Sequence, residues 1–446
     1  MKMLKIKKFH IDGFYKKISI KSFFKNRVTR NACWLIGGNI VYKLIAFIVG
    51  IWTARFLGPS NYGLINYALA YTTFFFSLSS LGINSVIVKE FVDHPNEEGE
   101  TMGTTLVLQG IASLLSVVVI CLIVFIVDYG ETITLIVTLL CSLGLFFQMM
   151  DSLKYWFQSK LESKNCAIAT TVAYIITSVY KIILLAMGAN VSWFAVATSV
   201  DYFCVAIILF ILYRKKGGPT LRFSKIKAKS LLKSSYHYIL SGLMVSIYGA
   251  TDRLMLKQMV GENSVGYYGT AISICNVWVF VLSAIIDSLN PVIMELNKID
   301  IEKYKRKNRQ LYAIVFYCSV FAGVIFTVFG EFGIKLLYGA EFLPAVNPLR
   351  IITWYTAFSY LGVARNAWIV CEGNQKYLTP LYAGAALLNV VLNFVLIPVL
   401  ETSGAALASL LTQVSTVFIF PLMIKELRPN VMLMIDSILL KKIKKK

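Results

Sequence analysis

A few ionisable and amide side chains stand inside otherwise apolar stretches of this sequence, and these are the residues best placed to do chemistry. Lys43 follows Asn39 by about one turn in the run 31–54. Thr170, Tyr174, Thr177, Ser178 and Lys181 recur at i, i+4, i+7, i+8 and i+11, which draws one polar stripe along a helix. Tyr382, Asn389 and Asn393 draw a similar face nearer the C-terminus. Asp252, Arg253 and Lys257 form a cluster; Arg253 and Lys257 lie one turn apart, whereas Asp252 and Arg253, as sequence neighbours, must reach for different partners. Asp201 and Asp287 are lone carboxylates, either counter-ions to the lysines or protonatable groups that couple to an ion. Arg55, Arg350 and Arg365 lie towards the ends of apolar runs and are expected as interfacial anchors.

A charge at the centre of a bilayer costs roughly 3 kcal/mol or more, so buried ionisable groups of this kind line a hydrated cavity or pair with one another. Hydrogen bonding between helices is the plainer use for the stripe and the asparagines. The balance of Lys43, Lys181, Arg253 and Lys257 is cationic, and that selects a class of ligand. An unshielded phosphate cannot cross hydrocarbon without a hydrated, positively charged path. A path for cations would bury carboxylates instead.

Other chemistries find no support. The sequence contains no GxxxxGK[ST], DxD, HExxH or GxSxG pattern. Its eight cysteines are scattered singly and do not combine with His10, His94 or His237 at ligand spacing, so neither a metal site, a cofactor nor a disulfide framework is expected.

The elements that position these residues follow from composition. The chain has 446 residues, 57% hydrophobic and 15% charged, with a mean hydropathy of +0.68. Soluble chains carry about 25% charge, so a membrane protein is indicated. The net charge of +21 would suggest nucleic acid in a soluble protein, but the basic residues sit in short runs between long apolar stretches, and nucleic acid is not an expected partner. With about 20 apolar residues needed per crossing, spans fall at 31–54, 64–88, 103–127, 132–152, 166–188, 191–213, 234–257, 264–290, 310–330, 348–370, 379–399 and 404–425. Twelve helices result. With both termini cytoplasmic, 37 of the 44 Lys and Arg fall on the inner side and five outside, as the positive-inside rule requires.

The organisation is expected as a basic cytoplasmic leader (1–30, without a signal-peptide core), a six-helix lobe (31–213), a basic linker (214–233), a second six-helix lobe (234–425) and a basic tail (426–446). No loop is long enough for a receptor, nucleotide-binding or polymerase domain. An internal repeat supports the division. Residues 164–200 can be laid on 376–411, placing Lys181 on Asn393 and AVATS on ALASL, and ARFLGPSNYG (54–63) echoes VGENSVGYYG (260–269). Because six is even, both halves enter the membrane in the same direction. The lobes are then related by a pseudo-twofold axis along the membrane normal, an architecture suited to alternating access.

In TARFLGPSNYGLINYALA, YWFQSKLESKN and NVVLNFVLIPVLETSGAALASLLTQV, and across about 31–425, the chain resembles the polysaccharide transporters of the multidrug/oligosaccharidyl-lipid/polysaccharide exporter superfamily, the Wzx-type flippases for O-antigen and capsule repeat units. The resemblance implies a non-enzymatic, multi-pass protein of the bacterial inner membrane that passes an undecaprenyl-pyrophosphate-linked oligosaccharide between leaflets. It implies headgroup contacts at Lys43, Lys181 and Arg253, with Lys257, Asn389 and Asn393 as further substrate-binding candidates. Asp252, Asp287 and Asp201 become candidates for coupling to a proton or sodium ion, and membrane lipids, polymerase and export proteins are candidate partners. The related drug/cation antiporters would carry an acidic residue in the first helix, where this chain has Lys43. A drug/cation antiporter and, from a different class, an integral-membrane glycosyltransferase or polymerase remain the alternatives.

Overall fold

The computed structural model describes residues 27–441, with side chains from Lys43 onwards. Among the described residues there are helices and no strands. The long elements are α1 (Arg27–Ser79), α3 (Glu98–Val127), α4 (Thr132–Gln148), α6 (Ser163–Met187), α7 (Val191–Lys215), α8 (Lys225–Met259), α9 (Glu262–Ile299), α10 (Ile301–Leu337), α11 (Val346–Cys371) and α12 (Leu378–Val414). Between and after them lie the shorter α2 (Ile87–Asp93), α5 (Ser152–Ser159), α13 (Phe420–Met423) and α14 (Arg428–Ile438). Nine stretches of the described residues are long and apolar enough to cross a membrane. The protein is an all-α, multi-span membrane protein.

Two of those stretches are broken inside. Gly58 (φ 70°, ψ 173°) interrupts α1, and Pro59 restarts it with a φ already suited to a first helical turn. Glu401 (φ 49°, ψ −126°) interrupts α12 in a conformation unusual for a residue with a side chain. Close by, Gly404 packs so tightly that a Cβ would lie 2.2 Å from the Leu396 carbonyl oxygen.

Several boundaries differ from those expected. The second span ends at Ser79 rather than 88, because Gly82 (φ 60°) turns the chain before the short α2. The basic linker is shorter than 214–233: residues from Lys225 already belong to α8, whose first turn is capped by the Ser224 hydroxyl accepting from Lys227 N. The tail beyond 426 contains α14, packed on α10. Helices extend past the hydrocarbon because charged residues favour helix as readily as apolar ones once in water. Residues 1–26 and 442–446, most of the expected leader and the end of the tail, lie outside the described residues.

Burial follows the membrane pattern rather than the soluble one. Ile175, Ile176, Val179, Ile182 and Ile183 on α6, and Phe321, Val328, Phe329 and Phe332 on α10, point outwards. Apolar surface on this scale belongs in lipid. The expected polar stripe is the opposite face of α6, where Tyr174, Thr177 and Ser178 are buried and Thr170 and Lys181 half-buried. In the first half α1 packs on α4 and α6, and α7 packs on α4 and α6; in the second α8 packs on α12, and α11 on α9, α10 and α12. The halves meet where α1 touches α8 and α9.

Candidate functional site

At the junction of the two halves, GPSNYG in α1 and the start of α9 touch backbone to backbone. A Cβ on Gly63 would lie 1.9 Å from the Glu262 carbonyl oxygen, and one on Gly266 would lie 2.1 Å from that of Pro59. The two segments that echo one another in sequence are therefore in mutual contact. Ser60 donates to Glu262 at 3.1 Å across the same seam.

From this contact a cavity of about 440 Å³ opens between α1 and α9, lined by Lys43, Phe47, Tyr62, Ser273, Asn276 and Tyr338 among others. The Tyr62 and Ser273 hydroxyls lie 3.3 Å apart across it. Lys43, exposed, is the basic residue of its lining among the described residues. Arg253, half-buried, stands near Tyr268, Asp252 and Tyr62, and its guanidinium donates to the Gly249 carbonyl at 3.3 Å.

Behind the cavity the structure gathers four residues around one carboxylate. Asp252 is 6% exposed. Its Oδ1 accepts from Asn393 at 2.6 Å and Asn389 at 3.2 Å, and its Oδ2 accepts from the Ser409 and Tyr268 hydroxyls. All four donors are neutral, so the negative charge of an ionised Asp252 is solvated rather than paired by them. Rotating the two amides would present their oxygens instead, making an oxygen-lined site of the kind alkali and other hard cations take. One turn along, Gln413 donates to Tyr248 at 2.6 Å and Tyr248 to Tyr355 at 3.0 Å, continuing the polar layer.

Lys257 lies elsewhere than expected of a ligand-binding group. Its ammonium lies 2.8 Å from Asp128 and 2.5 Å from Glu131, while Tyr67 donates to Asp128 at 2.7 Å and Gln258 at 2.7 Å. It ties the α3–α4 turn to the end of α8, and these two carboxylates already occupy it. Lys181 is also away from the Lys43 cavity. It stands 5.9 Å from the centre of the Tyr174 ring, close enough to Asp201 and Cys141 to interact electrostatically with both. Thr177 donates to Asp201 at 3.3 Å, and Asp201 lines a second cavity of about 250 Å³ with Gln148, Asp151, Lys154, Thr170 and Tyr202. Asp287 is exposed on α9 and belongs to neither cluster. Arg365, expected at an interface, is 1% exposed and donates to the Thr416 carbonyl at 3.1 Å in a π turn, Ser415–Ile419, where helical carbonyls lose their usual partners.

Sequence reasoning missed Tyr268 and Ser409. The first lies in VGENSVGYYG, where the looser echo sets it on Tyr62; the second lies in the ALASL copy of AVATS, where the repeat marks it. Asp128 and Glu131 were hidden as ordinary loop acids.

Comparison with known proteins agrees with this fold. The structure is similar to the lipid II flippase MurJ in an inward closed conformation (TM-score 0.72, 14% identity, covering 92% of this chain and 94% of that one). It is also similar to an inward-facing multidrug resistance MATE transporter of the MOP superfamily (TM-score 0.64, 15% identity, 87% and 96%). The fold is thus that of an all-α, multi-span membrane protein, shared with these solved transporters. The model of the polysaccharide biosynthesis protein family matches residues 28–297, and the chain belongs to that family. The MatE model matches 238–395. Among curated proteins, the capsular polysaccharide biosynthesis protein CapF of Staphylococcus aureus is 24% identical over 400 residues, 86% of this chain and 96% of CapF.

Proposed function

We propose that this protein is a flippase that carries a polyprenyl-pyrophosphate-linked oligosaccharide, an O-antigen or capsule repeat unit, from the inner to the outer leaflet of the bacterial plasma membrane. The observation that carries the reading is a cavity between the two halves whose basic side chain, Lys43, projects from a membrane helix in a member of the polysaccharide biosynthesis protein family. The pyrophosphate is met by Lys43 and Arg253 while the polyprenyl tail stays in lipid.

In this reading the nine long stretches become twelve spans, because α1 divides at Gly58, α12 at Glu401, and α11 is added. Both termini are cytoplasmic, and the spans form two six-helix lobes, 31–213 and 234–425, that rock about the cavity. With that orientation the Gly63–Gly266 seam and the Lys257 tie lie at the outer end, so the conformation is closed to the outside. Asp252, with Asn389, Asn393, Tyr268 and Ser409, supplies the coupling site for a proton or sodium ion.

The test is deletion of the gene in a strain without a redundant flippase. Lipid-linked oligosaccharide accumulates on the cytoplasmic leaflet and surface polysaccharide disappears; normal surface polysaccharide with increased drug sensitivity would replace this reading with a drug/cation antiporter.

A further inference from the structure

The outward face of α10 records where that helix enters the membrane. Lys303, Arg306, Ile314, Tyr317, Phe321 and Val324 are all exposed and lie within a sector of about 80° around the helix. Between Arg306 and Ile314, about 12 Å along the axis, this stripe changes from cationic to apolar. Its first aromatic residue beyond the change is Tyr317, a type that favours the boundary between headgroups and hydrocarbon.

The C-terminal helix is moored across this boundary. α14 buries Asn430, Val431, Met434 and Ser437 and packs on α10. From the apolar side the Tyr317 hydroxyl donates to the Ile438 carbonyl at 2.7 Å; from the basic side the Arg309 guanidinium donates to the carbonyls of Asp436, at 3.2 Å, and Lys441. Carbonyls at a helix end lack partners within the helix, so these two side chains fix where α14 stops. Leu439 and Leu440 are thereby held 58% and 65% exposed, between carbonyls bound by Arg309, which is one turn from Arg306. Residues 300–309 contain five basic residues against Asp300 and Glu302. Asp300 takes Lys303 at 3.2 Å and Asp436 takes Lys441 at 3.3 Å, whereas among the described residues the exposed Lys305 and Arg306 stand in no ion pair.

Retention of basic residues on one side of a membrane accounts for the charge, but not for an exposed leucine pair fixed beside it. Basic side chains joined to apolar ones at the hydrocarbon edge make the pattern that seats a helix among anionic headgroups. We infer that the end of α14 and the basic start of α10 form a binding site for an anionic phospholipid, with Lys305, Arg306 and Lys307 taking the phosphate and Leu439 and Leu440 the acyl chains below it. The lipid is the counter-ion that the neighbouring side chains do not supply. None of these residues lines the cavity between α1 and α9, so the site holds whatever the protein carries.

The test counts lipids bound to the purified full chain by native mass spectrometry during titration with dioleoyl phosphatidylglycerol or dioleoyl phosphatidylcholine. Wild type binds the anionic lipid roughly tenfold or more tightly, and Lys305→Gln/Arg306→Gln/Lys307→Gln loses that preference, since each basic residue near an anionic surface contributes a factor of about five. Lys225→Gln/Lys229→Gln/Lys233→Gln removes the same charge from exposed positions at the start of α8 and keeps the preference. Equal binding of the two lipids by wild type would overturn the inference and leave the patch to an acidic protein segment. An equal loss in both triple variants overturns it too, because net charge rather than a site then sets the preference. Displacement of phosphatidylglycerol by millimolar inorganic phosphate would mean a free-anion site instead. If the α10 triple variant does not fold, Arg306→Glu changes a single exposed side chain, and an undiminished preference in that variant sinks the assignment.

Discussion

The Lys257 ammonium lies 2.8 Å from the Asp128 carboxylate, joining residues 129 positions apart from opposite halves of the chain. With side chains 6% and 1% exposed, this is a buried pair and not a surface one. Glu131, whose side chain is 48% exposed, is the weaker partner.

In the proposed orientation, Lys257→Met should therefore open the outer end. It leaves Asp128 buried with only the neutral donors Tyr67 and Gln258, and breaking one side of a buried pair costs about 3–5 kcal/mol. The expected outcome is faster reaction of a cysteine introduced at Ser273, in the cavity, with a membrane-impermeant maleimide added from outside. Glu131→Gln should change this by less than about 1 kcal/mol, as exposed pairs do. Unchanged labelling in Lys257→Met would show that the pair does not close this end.

Asp252→Asn should uncouple transport from its ion. The substitution removes the charge that four side chains converge on, and keeps the size. Ion-driven uptake in vesicles should fall by roughly two orders of magnitude, the scale of about 3 kcal/mol in a charged hydrogen-bond network. Asn393→Ala, which removes the 2.6 Å contact, should weaken the apparent affinity for the ion more than it lowers the maximal rate. An Asp252→Asn protein with normal ion dependence would move the coupling site elsewhere.

How much of this was legible beforehand depends on what kind of signal each residue leaves. That the chain is built from long apolar helices was visible because hydrocarbon thickness sets a length, a one-dimensional property. The inward face of α6 was visible in the spacing of Thr170, Tyr174, Thr177, Ser178 and Lys181. Partnership was not. Nothing in the sequence says that Asn389 and Asn393 serve Asp252, 141 residues from the farther of them, or that Lys257 belongs to a turn in the other half. Such pairings come from tertiary packing, and only the repeat, which set Lys181 on Asn393, carried a trace of it.

Gly63→Ala should be severe although it adds one methyl group. Its Cβ would lie 1.9 Å from a carbonyl oxygen of α9, a backbone contact that no rotamer change relieves. The helices must separate, and overpacking of this kind costs typically 1–3 kcal/mol or more. Gly266→Ala should behave alike, from the other side of the seam. Gly249→Ala, with nothing within 4 Å of the added atom, is the control and should insert and transport normally. Thermal unfolding of the purified variants in detergent checks the ranking, and equal stability of Gly63→Ala and Gly249→Ala would contradict the packing described.

Lys43 offers the most direct test of what the cavity receives. It lines the space between α1 and α9 together with Tyr62, Ser273 and Asn276, and among the described residues the cavity wall supplies no second lysine or arginine. If it meets a pyrophosphate, charge matters more than shape. Lys43→Arg should retain much of the transport, Lys43→Gln should lose roughly tenfold or more, and Lys43→Glu should be inactive, because a carboxylate there repels the anion it replaced a partner for. The discriminating variant is Lys43→Cys, inactive as made and reactivated when an aminoethyl thiosulfonate restores a positive charge on a side chain of similar length. Reactivation by the neutral methyl reagent as well would mean that Lys43 fills space, and the cationic path would then rest on Arg253 alone.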